Sequence, residues 1–410
     1  MDIRPILSTL SRHKTAAALI ALEIALTCAI VSNAVFLIIN RLDRMSHPSG
    51  MAEAELIHVQ IVGMTRDRNH EAAVREDLAG LRAIPGVRHA AITNQVPYLG
   101  SSWNSSVNLE QDQLHPTLNA TVYIGSEDLV ETLGLELVAG RDLEPEEYQE
   151  FDALQAAGSD ARVPSVIISR VLAERLYPGE NPLGKVLYAW GDGATRVVGV
   201  VEHLIRPNDF GGPNEREYSI VLPISAPTLY GNNYLLRVDP ERRTEILEKA
   251  IDELETINSS RIVIEENTGL LTDSRAEFYQ QDRAMAGLLV AVCVALLVVT
   301  ALGIVGLASF WVQQRTRQIG IRRALGATRR QILGYFQTEN FLIATLGIVL
   351  GMGLAFAING LLMERYELPR LPWHYLPIGA VTLWLLGQAA VLGPALRAAA
   401  VPPAVATRSV

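Results

Sequence analysis

The chain has 410 residues, 49% hydrophobic and 19% charged, with a net charge of −9 and two cysteines. Soluble domains carry roughly 25% charged residues; that deficit and a mean hydropathy of +0.20 exclude a disordered or fibrous chain and argue against an ordinary cytosolic enzyme, while Cys28 and Cys293, each inside an apolar run, exclude a disulfide scaffold. The charge is divided: residues 41–283 hold 39 acidic against 22 basic residues, net −17, and the rest of the chain 5 against 13, net +8. This is the pattern of a membrane protein with one large acidic domain outside the bilayer.

A span takes about 20 predominantly apolar residues. After a short cytoplasmic or interfacial segment, 1–14, the first predicted span covers 15–40. Its apolar run is about twice the h-region of a secretory leader and lacks a small-residue cleavage site, so it reads as a span. The pattern continues through NRLDRM to His47-Pro48, where proline ends it. Ala17, Ala21, Ala25 and Ala29 place a small residue at every fourth position, either a close-packing face or the alanine content common in spans. Glu23 lies roughly 13 Å beyond Lys14 at 1.5 Å per residue. A carboxylate there costs roughly 2.5–3.5 kcal/mol on insertion scales and must face protein or water. Two readings are open: a protonated side chain bonded to the Thr27 hydroxyl, or a polar contact across a seam between two chains.

Residues 41–283 form the outer domain. Leu56–Gly63 reads as a strand, His70–Ile84 as a charged helix and Val87–Val96 as a second strand. Asn233–Val238, Glu241–Ile257 and Arg261–Glu265 repeat the strand–helix–strand pattern at the far end. The middle, about 100–228, is richer in Gly, Pro and short strands such as VPSVII and TRVVGVV, and reads as an inserted lobe on an α/β core. Gly179-Glu-Asn-Pro-Leu-Gly184-Lys185 imitates a phosphate-binding loop. Val186 stands where that motif needs a hydroxyl, and a strand rather than a helix follows, so the segment is a turn.

Ser274-x-x-Glu277 reads as a capping box opening a helix that runs through the second span, 284–311. At nearly 40 residues such a helix is about 55–60 Å long against a hydrocarbon core of about 30 Å. The excess stands outside as a stalk, unless Gly287 permits a kink at the interface. The loop 312–331 comes next, then a third span at 332–362 with Gly347 and Gly351 as a GxxxG pair, an outer loop 363–374, a fourth span 375–396 and a tail 397–410. Trp311, Trp373 and Tyr375 fall at expected interfaces, as aromatic belts do.

Arg4, Arg12 and Lys14 precede the first span, six arginines (Arg315, Arg317, Arg322, Arg323, Arg329, Arg330) fill the loop 312–331, and Arg397 and Arg408 follow the last span. Basic flanks stay inside, so both termini and this loop are expected in the cytoplasm, and the acidic domain in the periplasm. Within the loop, Ile319, Arg322 and Arg323 extend a helix that Gly326 closes, and Thr328-x-x-Gln331 is a capping box for the next. A short basic helix at the cytoplasmic surface is either a docking element or a positive-inside loop with no partner. The chain has no HExxH, no paired-cysteine motif and no GxSxG, and eight scattered histidines, so nothing supports a catalytic, cofactor or metal site.

The segment RTRQIGIRRALGATRRQI, together with the layout of one span, a large outer domain and three spans, resembles the MacB/FtsX-type ABC transporter permeases. Leu133–Leu143, Val166–Leu187 and Arg196–Leu204 resemble the MacB-like periplasmic core, and PALRAAAVPPAVA resembles that family's end. The resemblance covers nearly the whole chain. It implies an α-helical inner-membrane protein with four transmembrane helices, cytoplasmic termini and an α/β periplasmic domain of two lobes. It also implies an ATPase-coupling helix, carried here by Gln318, Ile319, Gly320, Arg322, Arg323, Ala324, Leu325 and Gly326, with Gln318 where family members often have Glu. MacB itself carries a nucleotide-binding domain ahead of its first span, where this sequence has about 14 residues. ATP and magnesium are therefore expected on a separate ATPase subunit, with a second permease chain (the same or a paralogue) as partner. A periplasmic adaptor and outer-membrane channel are further candidate partners, and nucleic acid is not one. The expected activity is mechanically driven export; the alternatives are an FtsX-like regulator of a periplasmic cell-wall hydrolase and a lipoprotein-releasing permease of the LolC/LolE type.

Overall fold

The computed structural model describes residues 14–63, 70–111, 113–156, 160–191, 193–208, 212, 215–225, 232–366 and 370–401. The expected basic flanks Arg4, Arg12 and Arg408 lie outside them. The chain divides into two units, one made of Met1–Met45 with Gln281–Val410 and the other of Ser46–Gln280.

The first unit is built from α1 (Lys14–Ser46), α2 (Gln280–Gln314), α3 (Thr316–Ala324), α4 (Arg329–Tyr366) and α5 (Leu376–Ala400). All but α3 are long and apolar enough to cross a membrane. The alanine series and the GxxxG pair prove to be two halves of one contact. A methyl group on Gly347 would come within 2.7 Å of the Ala21 carbonyl, and one on Gly351 within 2.6 Å of the Ala25 carbonyl. Only glycine lets the backbones of α1 and α4 approach so closely. The pairing continues outward, where the Asn33 amide donates to the carbonyls of Ala29 (3.0 Å) and Ala355 (3.1 Å). Trp311, expected in an aromatic belt, is instead 5% exposed and packed inside the unit, whereas Trp373 is 75% exposed. Between α1 and α2, buried Asp282 pairs with Arg41 and, at 3.4 Å, with Arg44.

The intervening domain, Ser46–Gln280, is organised around β1 (Leu56–Gly63), β2 (Val87–Thr93), β3 (Asn232–Val238) and β4 (Arg261–Val263). Their order in the sheet is β4-β1-β3-β2, with every neighbouring pair antiparallel. The two strand–helix–strand segments thus interleave as split β-α-β units: β3 lies between β1 and β2, and β1 between β3 and β4. Helices His70–Ala83 and Arg243–Ile257 bury Leu78, Leu81, Ile246, Ala250 and Leu254 against Ile57, Val59, Tyr234 and Leu236. Fully buried Asp77, on the first of these helices, accepts from the Tyr234 hydroxyl and, at 2.6 Å, from Arg261. It joins that helix to β3 and β4 with its charge compensated, the condition for burying a carboxylate.

The middle segment forms a second sheet, in the order Asn104–Val107, Leu118–Ile124, Ser219–Leu222, Ser165–Ser169, Thr195–Val201, Leu137–Gly140. Val186–Leu187 also pairs with Thr195–Val201. Beyond it, Asn108 and Tyr188 exchange backbone hydrogen bonds of 2.9 Å each way, so the sheet rolls up around a core that includes Val122, Val166, Ile168 and Ile220. The phosphate-loop lookalike is a turn: Gly179 and Gly184 have φ of +75° and +79°, and Lys185 pairs with Glu180 at 2.6 Å.

The long helix expected from Ser274 into the second span is not formed. Leu271–Phe278 is a separate helix, the backbone breaks at Tyr279 (φ −91°, ψ 10°), and α2 starts at Gln280. Gly287, the expected kink site, is an ordinary position inside α2. The cause is side-chain burial: Tyr279 is 4% exposed, its ring 5.0 Å from Phe278 and 6.0 Å from Tyr98. The Ser274 capping box is also absent, because the helix begins three residues earlier. The Ser274 hydroxyl instead meets His58 Nε2 at 2.8 Å, while His58 Nδ1 lies 2.9 Å from the Asn267 carbonyl.

Since a carbonyl only accepts, His58 carries a proton on Nδ1 and donates it to the Asn267 carbonyl. Burial holds its pKa below the ordinary value. The unfolded chain therefore binds a proton at higher pH than the folded one. The His58 contribution to stability is complete above about pH 6.5 and is lost as the pH falls below that toward the depressed folded value. The intervening domain should accordingly unfold at lower denaturant concentration as the pH drops from about 6.5 to about 5, and His58→Gln should remove that part of the dependence. An unchanged pH profile in the variant would show that other groups set it.

Candidate functional site

The loop between α2 and α4 is densely structured. α2 ends at Gln314, and Arg315 bridges it to α3 in a non-helical conformation (φ −103°, ψ 9°). α3 then ends in a Schellman turn: Gly326 sits at φ +100°, its N–H donates to the Arg323 carbonyl (3.1 Å), and the Ala327 N–H donates to the Arg322 carbonyl (3.0 Å). Thr328 and Gln331 follow as a reciprocal capping box, at 2.8 and 3.3 Å. The two motifs turn the chain sharply into α4.

Three side chains fix α3 to the spans. Arg315 is 8% exposed, its Nη1 donates to both Glu339 oxygens at 3.0 and 2.8 Å, and its guanidinium lies 5.4 Å from the Trp311 ring centroid. Glu339 is 1% exposed. Ile319 is buried among α4 and α5 side chains including Ile332, Phe336 and Ala395. Arg323 Nη1 donates to the Ala399 and Val401 carbonyls, both at 2.9 Å, at the end of α5 where helix geometry leaves carbonyls unpaired.

The eight residues expected to form a docking surface therefore divide. Ile319 and Gly320 are buried and Arg323 is spent on α5, so these three mount the helix rather than present it. Gln318, Arg322, Ala324, Leu325 and Gly326 are exposed. Arg322 stacks over Tyr335 at 5.2 Å. Ile321, 46% exposed, and Leu325, 83% exposed, form an outward apolar pair one helical turn apart. Ile321 escaped the sequence reading, although its position two residues from buried Ile319 places it on the opposite face. Glu339 escaped as well. The run Gln337-Thr338-Glu339-Asn340 inside an otherwise apolar span was the available signal.

Glu23 is half-buried, and its carboxylate lies against Gly303 of α2: a methyl group there would stand 2.6 Å from Oε2. Thr27, expected to bond it, instead shares a 2.8 Å hydrogen bond with Thr300. The expected Glu23–Thr27 bond is thereby corrected: the polar strip Glu23–Thr27 faces Thr300 and Gly303 of α2, and Ala21 and Ala25 of the alanine series face α4. No described residue hydrogen-bonds Glu23. Glu23→Gln should therefore leave thermal stability in lipid nanodiscs unchanged or higher, because an uncompensated carboxylate in hydrocarbon is costly. A fall of several degrees would reveal a partner for the charge.

In the intervening domain, Glu217, 3% exposed, lies between His47 and His203, with His203 Nδ1 at 3.0 Å. Arg275 donates to the His47 carbonyl (3.0 Å) and to Glu53 (2.6 Å). The segment that leaves α1 is thus tied to the helix that leads into α2. Among the described residues no group of three or more His, Cys, Asp and Glu side chains is arranged to hold a metal.

The family model for the MacB-like periplasmic core domain matches residues 15–254, more than half of the chain. The chain belongs to the MacB-like periplasmic core domain family. A second model, the FtsX-like permease C-terminal domain, matches residues 290–403. Among curated relatives, the macrolide export ATP-binding/permease protein MacB of Shewanella sp. (strain W3-18-1) is 27% identical over 226 residues, 54% of this chain and 33% of the relative. MacB of Pasteurella multocida (strain Pm70) is 26% identical over 329 residues, 77% of this chain and 47% of the relative. The chain thus spans a third to a half of the length of these relatives. The crystal structure of the periplasmic region of MacB from Actinobacillus actinomycetemcomitans aligns with 54% of this chain and 94% of that one, at 14% identity and a TM-score of 0.34; the assignment rests on the family models alone. This MacB-like chain is a multi-pass membrane protein with a periplasmic domain, and its matched parts are those of a permease.

Proposed function

We propose that this MacB-like chain is the permease subunit of an ABC transporter of the bacterial inner membrane, and that α3 is the helix on which a separate cytoplasmic ATPase docks. ATP and magnesium belong to that ATPase, and two permease chains, identical or paralogous, work together. ATP-driven movement enters at α3, passes through α4 and α5 to the other spans, and moves the periplasmic domain to expel a substrate.

The observation that carries this reading is the mount of α3. A helix that only satisfied the positive-inside rule would need neither a buried ion pair to α4, nor an arginine capping α5, nor an outward apolar pair. The Arg315–Glu339 pair, the Arg323 contacts and exposed Ile321 and Leu325 fit a rigid lever with a contact face. Force applied to that face reaches both α4 and α5. Reversal of Arg323 would damage the mount as well as any docking, so Arg322 and Leu325 are the informative positions.

The test is reconstitution in nanodiscs with a separately expressed ABC ATPase subunit from the same organism. Stable co-purification and ATP hydrolysis faster than that of the ATPase alone are expected. Absence of both would contradict the reading.

A further inference from the structure

Between α3 and the start of α4 lies a pocket lined by the polar side chains of Arg315, Gln318, Arg322 and Tyr335 and the apolar ones of Ile319, Ile332 and Phe336. Arg315 is more than nine-tenths buried, and while its Nη1 is engaged by Glu339, its Nη2 has no hydrogen-bond partner. A buried donor left unsatisfied is costly, so an acceptor from outside the chain is the natural completion of this site. The Arg322 guanidinium stacks on Tyr335, and neither it nor the Gln318 amide meets an acceptor among the described residues.

We propose that this pocket binds the phosphate of an anionic phospholipid headgroup. Charge selects the ligand. Glu339 neutralises Arg315, which leaves Arg322 as the net charge of the site, one positive charge for the single negative charge of a phosphodiester. The loop 312–331 contains six arginines and no carboxylate, so a zwitterionic headgroup would bring its ammonium into a like-charged surrounding. Position selects the lipid over a free ion. The pocket opens where the apolar stretches of α2 and α4 end, the level of headgroups, and Ile332 and Phe336 suit a glycerol backbone and acyl chain beside the phosphate. Basic pockets between membrane helices are established headgroup sites in general. A lipid here would brace α3 along the face that carries Gln318, Ile319 and Arg322. The inference needs the loop to lie at a membrane face but not that an ATPase docks on it.

The test is native mass spectrometry of the full chain in detergent, titrated with phosphatidylglycerol, phosphatidylcholine or inorganic phosphate. Phosphatidylglycerol should bind with retained adducts, phosphatidylcholine more weakly, and inorganic phosphate in large excess should not displace the lipid. Arg322→Gln should weaken phosphatidylglycerol binding about tenfold, the scale of one hydrogen bond to a charged group, and Arg322→Lys should restore part of it. Both variants sit on the rim and leave the Arg315–Glu339 pair intact. Displacement by inorganic phosphate would reassign the site to a free anion and overturn the lipid. Binding indifferent to Arg322→Gln and to Gln318→Ala would overturn the site itself. Lipid binding that survives when ATPase co-purification fails would sink the docking helix and leave this pocket standing.

Discussion

Replacing Ile321 and Leu325 together with Asp should abolish association with the ATPase while leaving membrane insertion and thermal stability of the permease near wild type. Both side chains are exposed, at 46% and 83%, so little packing within the chain is lost. Leu325, which caps α3, has the most to gain from burial; covering a Leu side chain is worth roughly 1.5–3 kcal/mol, and an aspartate in its place sets a desolvated charge against the partner. The combined loss of several kcal/mol corresponds to at least a hundredfold weaker binding at about 1.4 kcal/mol per factor of ten. Arg322→Glu alone should give a smaller effect with a marked salt dependence, as expected of charges that orient an encounter. Retained co-purification by the double aspartate variant would move the contact away from α3.

The second large effect is expected at Glu339. Glu339→Leu leaves Arg315 buried without its counter-charge, and breaking one side of a buried pair costs about 3–5 kcal/mol. The variant should lose thermal stability and ATPase stimulation together, because α3 loses its attachment to α4. Arg315→Met with Glu339→Leu removes both charges and should recover most of the stability. Coupling should recover only if the pair acts purely as a clamp. A double variant no more stable than the single one would show that the pair itself, and not an orphaned charge, holds the loop.

The spans were legible because each needs only a local run of apolar residues, and hydropathy sums such runs directly. The coupling loop was legible for a similar reason, since its turn is made by Gly326 and Thr328-x-x-Gln331, short-range chemistry that a sequence displays openly. What each helix faces was not legible. Ala21 and Ala25 announce a close contact, but nothing local says that Gly347 and Gly351, more than 300 residues away, receive them rather than another chain. The neighbours of Glu23 and Thr27 within the chain were hidden likewise, because Thr300 and Gly303 lie on an element whose rotation about its axis no pattern fixes. The strand order β4-β1-β3-β2 depends on pairing Leu56 with Arg237, a register set by long-range burial. The break at Tyr279 carries neither Gly nor Pro and comes from aromatic packing against Tyr98, which only the folded domain assembles. Glu339 was hidden by its apolar surroundings, which outweigh a single carboxylate in any span-length average.

The central claim, that α3 is where an ATPase docks, is tested most directly by cysteine cross-linking. Leu325→Cys presents a thiol at the outward end of α3, and the two native cysteines, Cys28 and Cys293, are buried, so a short bifunctional reagent acts at the new site. Leu114→Cys, at a position 93% exposed in the periplasmic domain, is the control. In membranes holding both subunits, a covalent permease–ATPase adduct is expected from Leu325→Cys and none from Leu114→Cys. An adduct at Leu114, or none at Leu325 from a complex that still co-purifies, would contradict the account.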